Sequence, residues 1–192
     1  MKLKYTVVVF VSLISLVFPS CNLFEKKTVQ AEQNPAMEKY IGKRFDMTGF
    51  IDTSGNLAAL DLNKAPLTLI DIWFDHCPSC ISEMKEFKTV LKGKEEKINV
   101  VSISINSFPA WKKMLPEAPE RYSFLKENVS NWQQLIFSST DKYPRNNSIS
   151  PDRLQELEQK WTTHTFPVIF VLDNSGIIKD MPLSAVDYIK KL

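Results

Sequence analysis

Three near-continuous apolar runs mark the chain at residues 67–74, 98–105 and 166–172. Runs of this length with so few polar interruptions are typical of β-strands that are buried on both faces of a sheet. A fourth, shorter run at residues 132–137 predicts one more strand. We expect these strands to form the central sheet of the protein.

Amphipathic segments alternate with these runs. Ile81, Met84, Phe87 and Val90 recur at helical spacing among charged residues, which predicts a helix that ends near Gly93. Further helices are predicted over residues 118–128, from residue 150 to about residue 161, and over residues 184–192. Because helical segments alternate with apolar strands, the pattern predicts an α/β fold with a sheet between helical layers.

Turn-forming residues divide the remaining short strands. Residues 47–51 and 57–62 flank a Thr-Ser-Gly-Asn sequence, which predicts a β-hairpin ahead of the first buried strand. An Asp-Asn-Ser-Gly turn leads into a paired strand at residues 177–181. Residues 138–150 are polar and contain a proline, so we expect them to form a surface loop.

The first twenty residues have a pattern of their own. Lys2 and Lys4 precede an apolar run of 14 residues at 5–18, which is shorter than the roughly 20 residues needed to span a bilayer. This pattern is typical of a secretory signal peptide. Ser20 followed by Cys21 resembles the bacterial lipoprotein signal, in which the cysteine is lipidated and becomes the mature N-terminus. The alternatives are an uncleaved helical anchor and a plain secreted protein, and both place the rest of the chain outside the cytoplasm.

Composition and charge narrow the function classes. The chain has 192 residues, 44% hydrophobic and 24% charged, as in ordinary globular proteins. A net charge of +2 without a long basic block argues against nucleic-acid binding. Beyond residue 20 the chain has 22 basic and 22 acidic side chains, so a lipid on Cys21 would have to hold it at a membrane. We divide the chain into a signal peptide (1–20), a lipid-anchored tether (21–36) and one folded domain (37–192).

One motif carries chemistry, Cys77-Pro78-Ser79-Cys80, between a predicted buried strand and a predicted amphipathic helix. If the helix begins at Cys77, the two sulfurs lie on one face at a spacing that suits a disulfide. Unpaired N–H groups at the helix start favour the thiolate form of Cys77. Pro78 belongs in the first turn, where its missing N–H costs nothing. The pair is therefore predicted to cycle between dithiol and disulfide.

Two other uses of the cysteine pair stay open. A static structural disulfide would close a very short loop, which stabilises a fold little. A zinc site needs four ligands, commonly two cysteine pairs, and the chain has only 3 cysteines, one of which is Cys21. The chain has only 2 histidines, which excludes a histidine-rich metal site. We predict neither a metal nor another cofactor.

The residues around the pair resemble a known family. Residues 71–80, DIWFDHCPSC, resemble the active-site strand and turn of thioredoxins, and are most similar to the membrane-anchored TlpA/ResA-like branch. Residues 166–173, followed by Gly176, resemble a later strand of that branch, which opens with a cis-proline facing the cysteines. The similarity covers about residues 40–192. It implies a thioredoxin-like fold, a central mixed sheet flanked by helices, here with an N-terminal β-hairpin extension.

The resemblance also implies roles for single residues. Cys77 would be the exposed nucleophile and Cys80 the buried resolving thiol, with a redox-active disulfide between them. Asp71 would be the buried acid that moves a proton to or from the resolving cysteine. Pro167 would be the cis-proline, and the backbone of Phe166 would pair with the substrate chain.

Four more residues are candidates at this site. Trp73 and Pro78 are predicted to line its rim, where substrate binds. His76 stands where the family usually has tryptophan, and it either assists thiolate formation or is a solvated residue. Glu83 matches an acid common in the branch, and it either tunes the cysteines or is an exposed helical acid.

These features predict a thiol–disulfide oxidoreductase of the cell envelope that is lipid-anchored and faces the periplasm. It would reduce disulfides of exported proteins, such as cytochrome c apoprotein, with a membrane thiol reductase as its electron donor. Three rivals stay open: a copper-binding, chaperone-like module that uses Cys77, Cys80 and His164; a thiol peroxidase that depends on Cys77 alone; and an interaction domain without catalysis.

Overall fold

A seven-stranded sheet forms the core of the fold. The computed structural model describes residues 38–137, residue 159 and residues 165–192, all within the compact unit Ala31–Leu192. The strands are β1 Phe50–Ile51, β2 Leu57–Ala58, β3 Leu67–Trp73, β4 Ile98–Ser104, β5 Trp132–Phe137, β6 Val168–Asp173 and β7 Ile178–Asp180. They lie side by side in the order β2-β1-β5-β4-β3-β6-β7.

The sheet is mixed, as predicted. Strands β3, β4 and β5 run parallel, whereas β6 pairs antiparallel with β3 and β7 pairs antiparallel with β6. The predicted hairpin is formed by β1 and β2, and β1 extends the sheet by pairing antiparallel with β5. All four apolar runs are strands, and their bounds lie within two residues of the prediction.

Three α-helices lie wholly within the described ranges 38–137 and 165–192: α1 Pro78–Val90, α2 Phe108–Glu117 and α3 Ala185–Lys190. Helices α1 and α3 confirm two of the predicted helices. The helix predicted over residues 118–128 is wrong, because the chain forms α2 before that segment and only a 3₁₀ turn, Ser123–Lys126, within it.

The start and end of α2 explain that error. The hydroxyl of Ser107 caps the helix by accepting the N–H of Ala110 at 3.3 Å, and Pro109 occupies the first turn, where proline is favoured. Ala118 is the C-cap of α2, so the segment that starts at residue 118 follows the end of the helix. The capping signal at Ser107 therefore places the helix earlier in the chain.

Strand β3 has two apolar faces. Successive side chains of a strand point to opposite sides, so Leu69 and Trp73 lie on one face and Ile70 and Ile72 on the other. The first face packs against α1 and α3 in one hydrophobic cluster, and the second packs in another cluster that includes β1 and β6. Asp71 lies between Leu69 and Trp73, so its carboxyl group belongs to the face that α1 covers.

Several predictions fall outside the described residues. They are the signal peptide, the tether with Cys21, the loop at 138–150, most of the helix from residue 150 to about 161, and His164. Gln159, the one described residue of that helix, is helical. In the ranges 38–137 and 165–192, no helix has the length and apolar character to cross a bilayer.

Candidate functional site

The two cysteines lie at the start of α1, just after the turn that follows β3. The N–H of Cys77 donates to the carbonyl of Phe74 at 3.1 Å, which closes a tight turn after the strand. Cys77 is the N-cap residue of α1, and its sulfur accepts the N–H of Cys80 at 3.2 Å. Pro78 follows in the first turn, as predicted. The Cys77 sulfur therefore caps the helix, a role for which the side-chain oxygen of serine or aspartate is preferred.

Cys77 and Cys80 are joined by a disulfide, with their Cα atoms 5.3 Å apart. Cys80 is 0% exposed, which agrees with a buried partner. Cys77 was predicted to be exposed, and in this disulfide form it is only 3% exposed. The reason is that its sulfur belongs to the hydrophobic cluster under α1 and has the Ser79 hydroxyl 3.4 Å away.

The loop before β6 lies beside the cysteine turn. The peptide bond from Phe166 to Pro167 is cis, as predicted. The Ser79 hydroxyl donates to the carbonyl of Phe166 at 3.5 Å, and the rings of Phe166 and Phe74 meet edge to face at 5.1 Å. Pro78 is exposed, and Phe166 and Pro167 are half-buried, so these three residues present surface next to the sulfurs.

Trp73 does not line this surface. It is 1% exposed and packs edge to face against Phe124, with ring centroids 5.6 Å apart. The prediction of a rim position is therefore wrong. Trp73 shares the helix-covered face of β3 with Leu69, and a large apolar side chain at that position is buried by α1 and the 3₁₀ turn.

Asp71 is a carboxyl group in an apolar setting. It is 1% exposed, its Oδ2 accepts the hydroxyl of Ser102 at 3.3 Å, and its Oδ1 has no hydrogen-bond partner among the described residues. Burial is the main cause that raises the pKa of Asp71 to about 8; the negative charge of Glu83 adds to the rise, and the hydrogen bond from Ser102 opposes it. The group therefore titrates close to neutral pH.

Glu83 connects α1 to α3 rather than projecting into solvent. Its Oε2 accepts the N–H of Ala185 at 3.2 Å, and the side chain of Ser184 also hydrogen-bonds to it. Partial burial raises the pKa of Glu83, and these two hydrogen bonds oppose the rise. The alternative of an exposed helical acid is wrong, because Glu83 is half-buried and its charge acts on Asp71.

Asp75, two residues before Cys77, is held from several sides. Its N–H donates to the side-chain oxygen of Asn106 at 3.0 Å. Its carbonyl accepts both the guanidinium of Arg121 at 2.6 Å and the hydroxyl of Tyr122 at 3.2 Å. These contacts, which we call the Asp75 clamp, hold the turn that presents Cys77.

His76 pairs with the neighbouring carboxylate. Its Nδ1 lies 2.7 Å from Oδ1 of Asp75, while the imidazole itself is 69% exposed. The structure therefore places His76 at the surface beside the cysteine turn. It remains a candidate for assisting thiolate formation.

The sequence alone did not predict the residues that contact this turn from distant parts of the chain. Ser79 belongs to the motif itself and was passed over. Asn106, Arg121 and Tyr122 contact Asp75 from 31 to 47 residues further along the chain. Their only sequence signal is a weak one, since Asn106 directly follows the predicted strand that pairs with β3, and parallel strands end at the same edge of a sheet.

The arrangement supports thiol–disulfide exchange. It combines two sulfurs at a helix start with a buried acid of raised pKa. Within the described ranges, no group of three or more His, Cys, Asp or Glu side chains is placed to hold a metal ion, and His164 lies outside those ranges.

Comparisons with known proteins identify the fold. No protein-family model matches the chain, and no curated protein matches it. The thioredoxin domain of a thiol-disulfide oxidoreductase from Bacteroides vulgatus superposes with a TM-score of 0.55 at 21% identity, covering 79% of this chain and 93% of that one. A thiol:disulfide interchange protein from Bacteroides sp. gives 0.54 at 20% identity, covering 79% and 86%. The chain has a thioredoxin-like fold.

A third solved structure extends the comparison beyond Bacteroides. A domain of a possible thiol-disulfide isomerase from Cytophaga hutchinsonii has a TM-score of 0.53 at 18% identity and covers 79% of this chain and 88% of that one. At these identities the similarity establishes the thioredoxin-like fold. The chemistry of the site rests on the residues of this chain.

The raised pKa of Asp71 predicts how stability depends on pH. Because the folded-state pKa of about 8 exceeds the ordinary 3.8, folding takes up a proton between these values. The stabilisation is complete below about pH 4 and is lost as pH rises towards 8. Replacing Asp71 with Asn should therefore flatten the fall in unfolding free energy from pH 5 to pH 8, by a few kcal/mol at most.

Urea denaturation of the oxidised protein at several pH values measures this difference. Asp52→Asn is the matched control, since backbone hydrogen bonds, chiefly from Asn56, lower the pKa of this carboxyl, so it titrates below that window. Parallel stability curves for the wild type and Asp71→Asn would contradict a raised pKa at Asp71.

The Asp75 clamp predicts an energetic coupling between its two carbonyl donors. Arg121→Met or Tyr122→Phe alone leaves the Asp75 carbonyl one donor, so each should cost about 0.5–1.5 kcal/mol. The double variant leaves this carbonyl without either donor, and its cost should exceed the sum of the single costs by about 1 kcal/mol. A double-mutant cycle in urea measures the excess, and strictly additive costs would show that the two donors act independently.

Proposed function

We propose that the protein is a thiol–disulfide oxidoreductase that uses Cys77 as nucleophile and Cys80 as resolving thiol. The observation that carries this proposal is the position of the Cys77 sulfur as the cap of α1, where it accepts the N–H of Cys80. Opening the disulfide leaves a sulfur at the positive end of a helix, which favours its thiolate form. The names of the solved structures with the same fold are consistent with this chemistry.

The reaction is a two-step exchange. The Cys77 thiolate attacks one sulfur of a substrate disulfide, forms a mixed disulfide, and expels the other substrate sulfur as a thiolate that takes a proton from solvent. Cys80 gives its proton to Asp71, attacks the Cys77 sulfur, and expels the second substrate thiolate, which is protonated in turn. Two electrons pass to the substrate, and the protein is left with the Cys77–Cys80 disulfide.

Asp71 suits the second step because of where it is buried. It lies on the face of β3 that α1 covers, and Cys80 is 0% exposed in the cluster on that face. A buried thiol has no solvent water to take its proton, so a carboxyl group on the same side of the sheet is needed. With a pKa of about 8, the carboxyl keeps the proton at neutral pH after the disulfide has formed.

Substrate would bind over the exposed surface beside the sulfurs. Pro78, Phe166 and Pro167 form that surface, and the carbonyl of Phe166 already accepts a hydrogen bond from Ser79. A substrate chain that pairs with the backbone of Phe166 would compete with Ser79 for this carbonyl. The side chains of this surface are apolar and the Phe166 backbone is polar, which suits an extended chain of varied sequence.

We further propose that the protein works in the cell envelope as a TlpA/ResA-like oxidoreductase. Its substrates would be disulfides of exported proteins, such as cytochrome c apoprotein, and a membrane thiol reductase would return electrons to Cys77 and Cys80. The support is the sequence pattern of residues 1–20 followed by Cys21. This part of the proposal rests on the sequence alone.

Trapping tests the exchange reaction. Cys80→Ser should hold substrate proteins on Cys77 as mixed disulfides that dithiothreitol releases, because the resolving thiol is gone. Wild-type protein should speed insulin reduction by dithiothreitol, and Cys77→Ser should reduce the rate to that of buffer. The control is the variant with both cysteines replaced by serine. Capture no greater than this control, or peroxide consumption that needs Cys77 alone, would refute the proposal.

Lipid labelling tests the anchor. Full-length protein expressed in a Gram-negative bacterium should incorporate labelled palmitate and partition into the detergent phase of Triton X-114. Cys21→Ser should abolish both, because the thiol that would accept the lipid is absent. Equal partitioning of the two proteins would point to an uncleaved helical anchor instead.

A further inference from the structure

A chain of hydrogen bonds runs behind Asp71 across three neighbouring strands. The indole N–H of Trp132 on β5 donates to the hydroxyl oxygen of Ser102 on β4 at 2.9 Å. The hydroxyl of Ser102 donates to Oδ2 of Asp71 on β3 at 3.3 Å. All three side chains belong to buried residues, with exposures of 8%, 0% and 1%. We call this series the Trp132–Ser102–Asp71 chain.

The direction of the chain follows from its first donor. An indole N–H can only donate, so Ser102 must accept from Trp132. A hydroxyl has a single hydrogen, and that hydrogen is left for Oδ2 of Asp71. Oδ2 therefore acts as an acceptor whether or not the carboxyl group is protonated.

The two oxygens of Asp71 are consequently not equivalent. A proton on Oδ2 would face the Ser102 hydrogen and would leave that hydrogen without an acceptor. Oδ1 has no hydrogen-bond partner among the described residues, although it is buried. A buried acceptor without a donor is most costly when it carries charge, and a proton on Oδ1 removes the charge and so lowers that cost.

We propose that Ser102 and Trp132 are positioning residues that occupy Oδ2 of Asp71 and so make Oδ1 the atom that exchanges a proton with Cys80. This inference rests on the proposed function and goes one step further, because it assigns the proton transfer to one atom and names the residues that enforce it. The hydrogen bonds of the Trp132–Ser102–Asp71 chain keep the same donors and acceptors in both protonation states of Asp71. No hydroxyl has to turn when the proton moves.

The transfer balances within the exchange reaction. The Cys80 S–H bond breaks and an O–H bond forms at Oδ1, while the electron pair left on the Cys80 sulfur forms the bond to the Cys77 sulfur. The bond between Cys77 and the substrate sulfur breaks, and its electron pair leaves with the substrate. When an external dithiol later reduces the protein, the proton on Oδ1 returns to the Cys80 sulfur.

The charges that face Asp71 are few. Glu83 on α1 is the charged group that acts on it, and Asp187 on α3 acts in turn on Glu83. Cys80 on α1 becomes titratable only after reduction. On the strands beside β3, the residues directly opposite Asp71 are Ser102 and Ile169, and neither is charged. Ser102 is the hydrogen-bond donor that favours the ionised carboxyl, so its loss should raise the pKa of Asp71 further.

Indole ¹⁵N NMR of the oxidised full-length protein in detergent micelles tests the Trp132–Ser102–Asp71 chain without an activity assay. The Trp132 indole resonance, assigned by its absence in Trp132→Phe, should shift with pH around a midpoint of about 8. The shift should vanish in Asp71→Asn and in Ser102→Ala. It should persist in Ser102→Thr, which keeps a hydroxyl at that position. Trp111 on α2 provides an internal reference.

The matched control is Thr68→Val, which removes a buried hydroxyl of β3 that lies on the opposite face from Asp71. It should leave the Trp132 titration unchanged. In single-turnover resolution of a mixed disulfide at pH 7, Ser102→Ala should slow the step about tenfold, because it removes a hydrogen bond to the ionised carboxyl that accepts the proton. Trp132→Phe should give a smaller loss, because Ser102 can then turn away.

The outcomes separate this inference from the proposed function. If the Trp132 resonance does not change with pH while Cys80→Ser still traps substrate, the coupling through the Trp132–Ser102–Asp71 chain is refuted. The proposed oxidoreductase function would then still hold. An unchanged resolution rate in both Ser102→Ala and Trp132→Phe would overturn the positioning role. A normal titration with no trapping would overturn the oxidoreductase and, with it, the proton transfer.

Discussion

The hydrogen bond from the N–H of Cys80 to the sulfur of Cys77 is the interaction on which the site depends. It makes the Cys77 sulfur the N-cap of α1, so one contact both starts the helix and, once the disulfide is reduced, would stabilise negative charge on the sulfur. Pro78 contributes to the same geometry, because it has no N–H that would need a partner in the first turn. The chemistry and the local fold are therefore consequences of a single arrangement.

The sheet supplies the second requirement, a carboxyl group that is ionisable near neutral pH. Strand β3 is apolar on both faces, and Asp71 interrupts the face that α1 covers. Burial there raises the pKa of Asp71, and Glu83 adds its charge from the helix above. A carboxyl group in such a place reduces stability at high pH, and the proposed proton transfer is the function that would justify that cost.

The turn between β3 and α1 is held by parts of the chain that are distant in sequence. Asn106, Arg121 and Tyr122 fix the peptide of Asp75, while Phe166 and Ser79 join the cis-proline loop to the first turn of α1. Such cross-links keep Cys77 in one position relative to the surface where a substrate would bind. Exchange reactions need this kind of order, since the attacking sulfur must lie in line with the bond that breaks.

Local sequence determined the strands, α1, the hairpin, the cysteine pair and the cis-proline motif, because each depends on neighbouring residues: apolar runs, helical spacing, turn residues and a four-residue motif. The same reasoning misplaced α2, where the cap at Ser107 outweighed the helical pattern further on. Tertiary structure alone decided that the charge of Glu83 acts on Asp71, and that Ser102 and Trp132 align behind the carboxyl. The last two lie 31 and 61 residues beyond Asp71, and only the pairing of three parallel strands, each joined by a long crossover, brings them together.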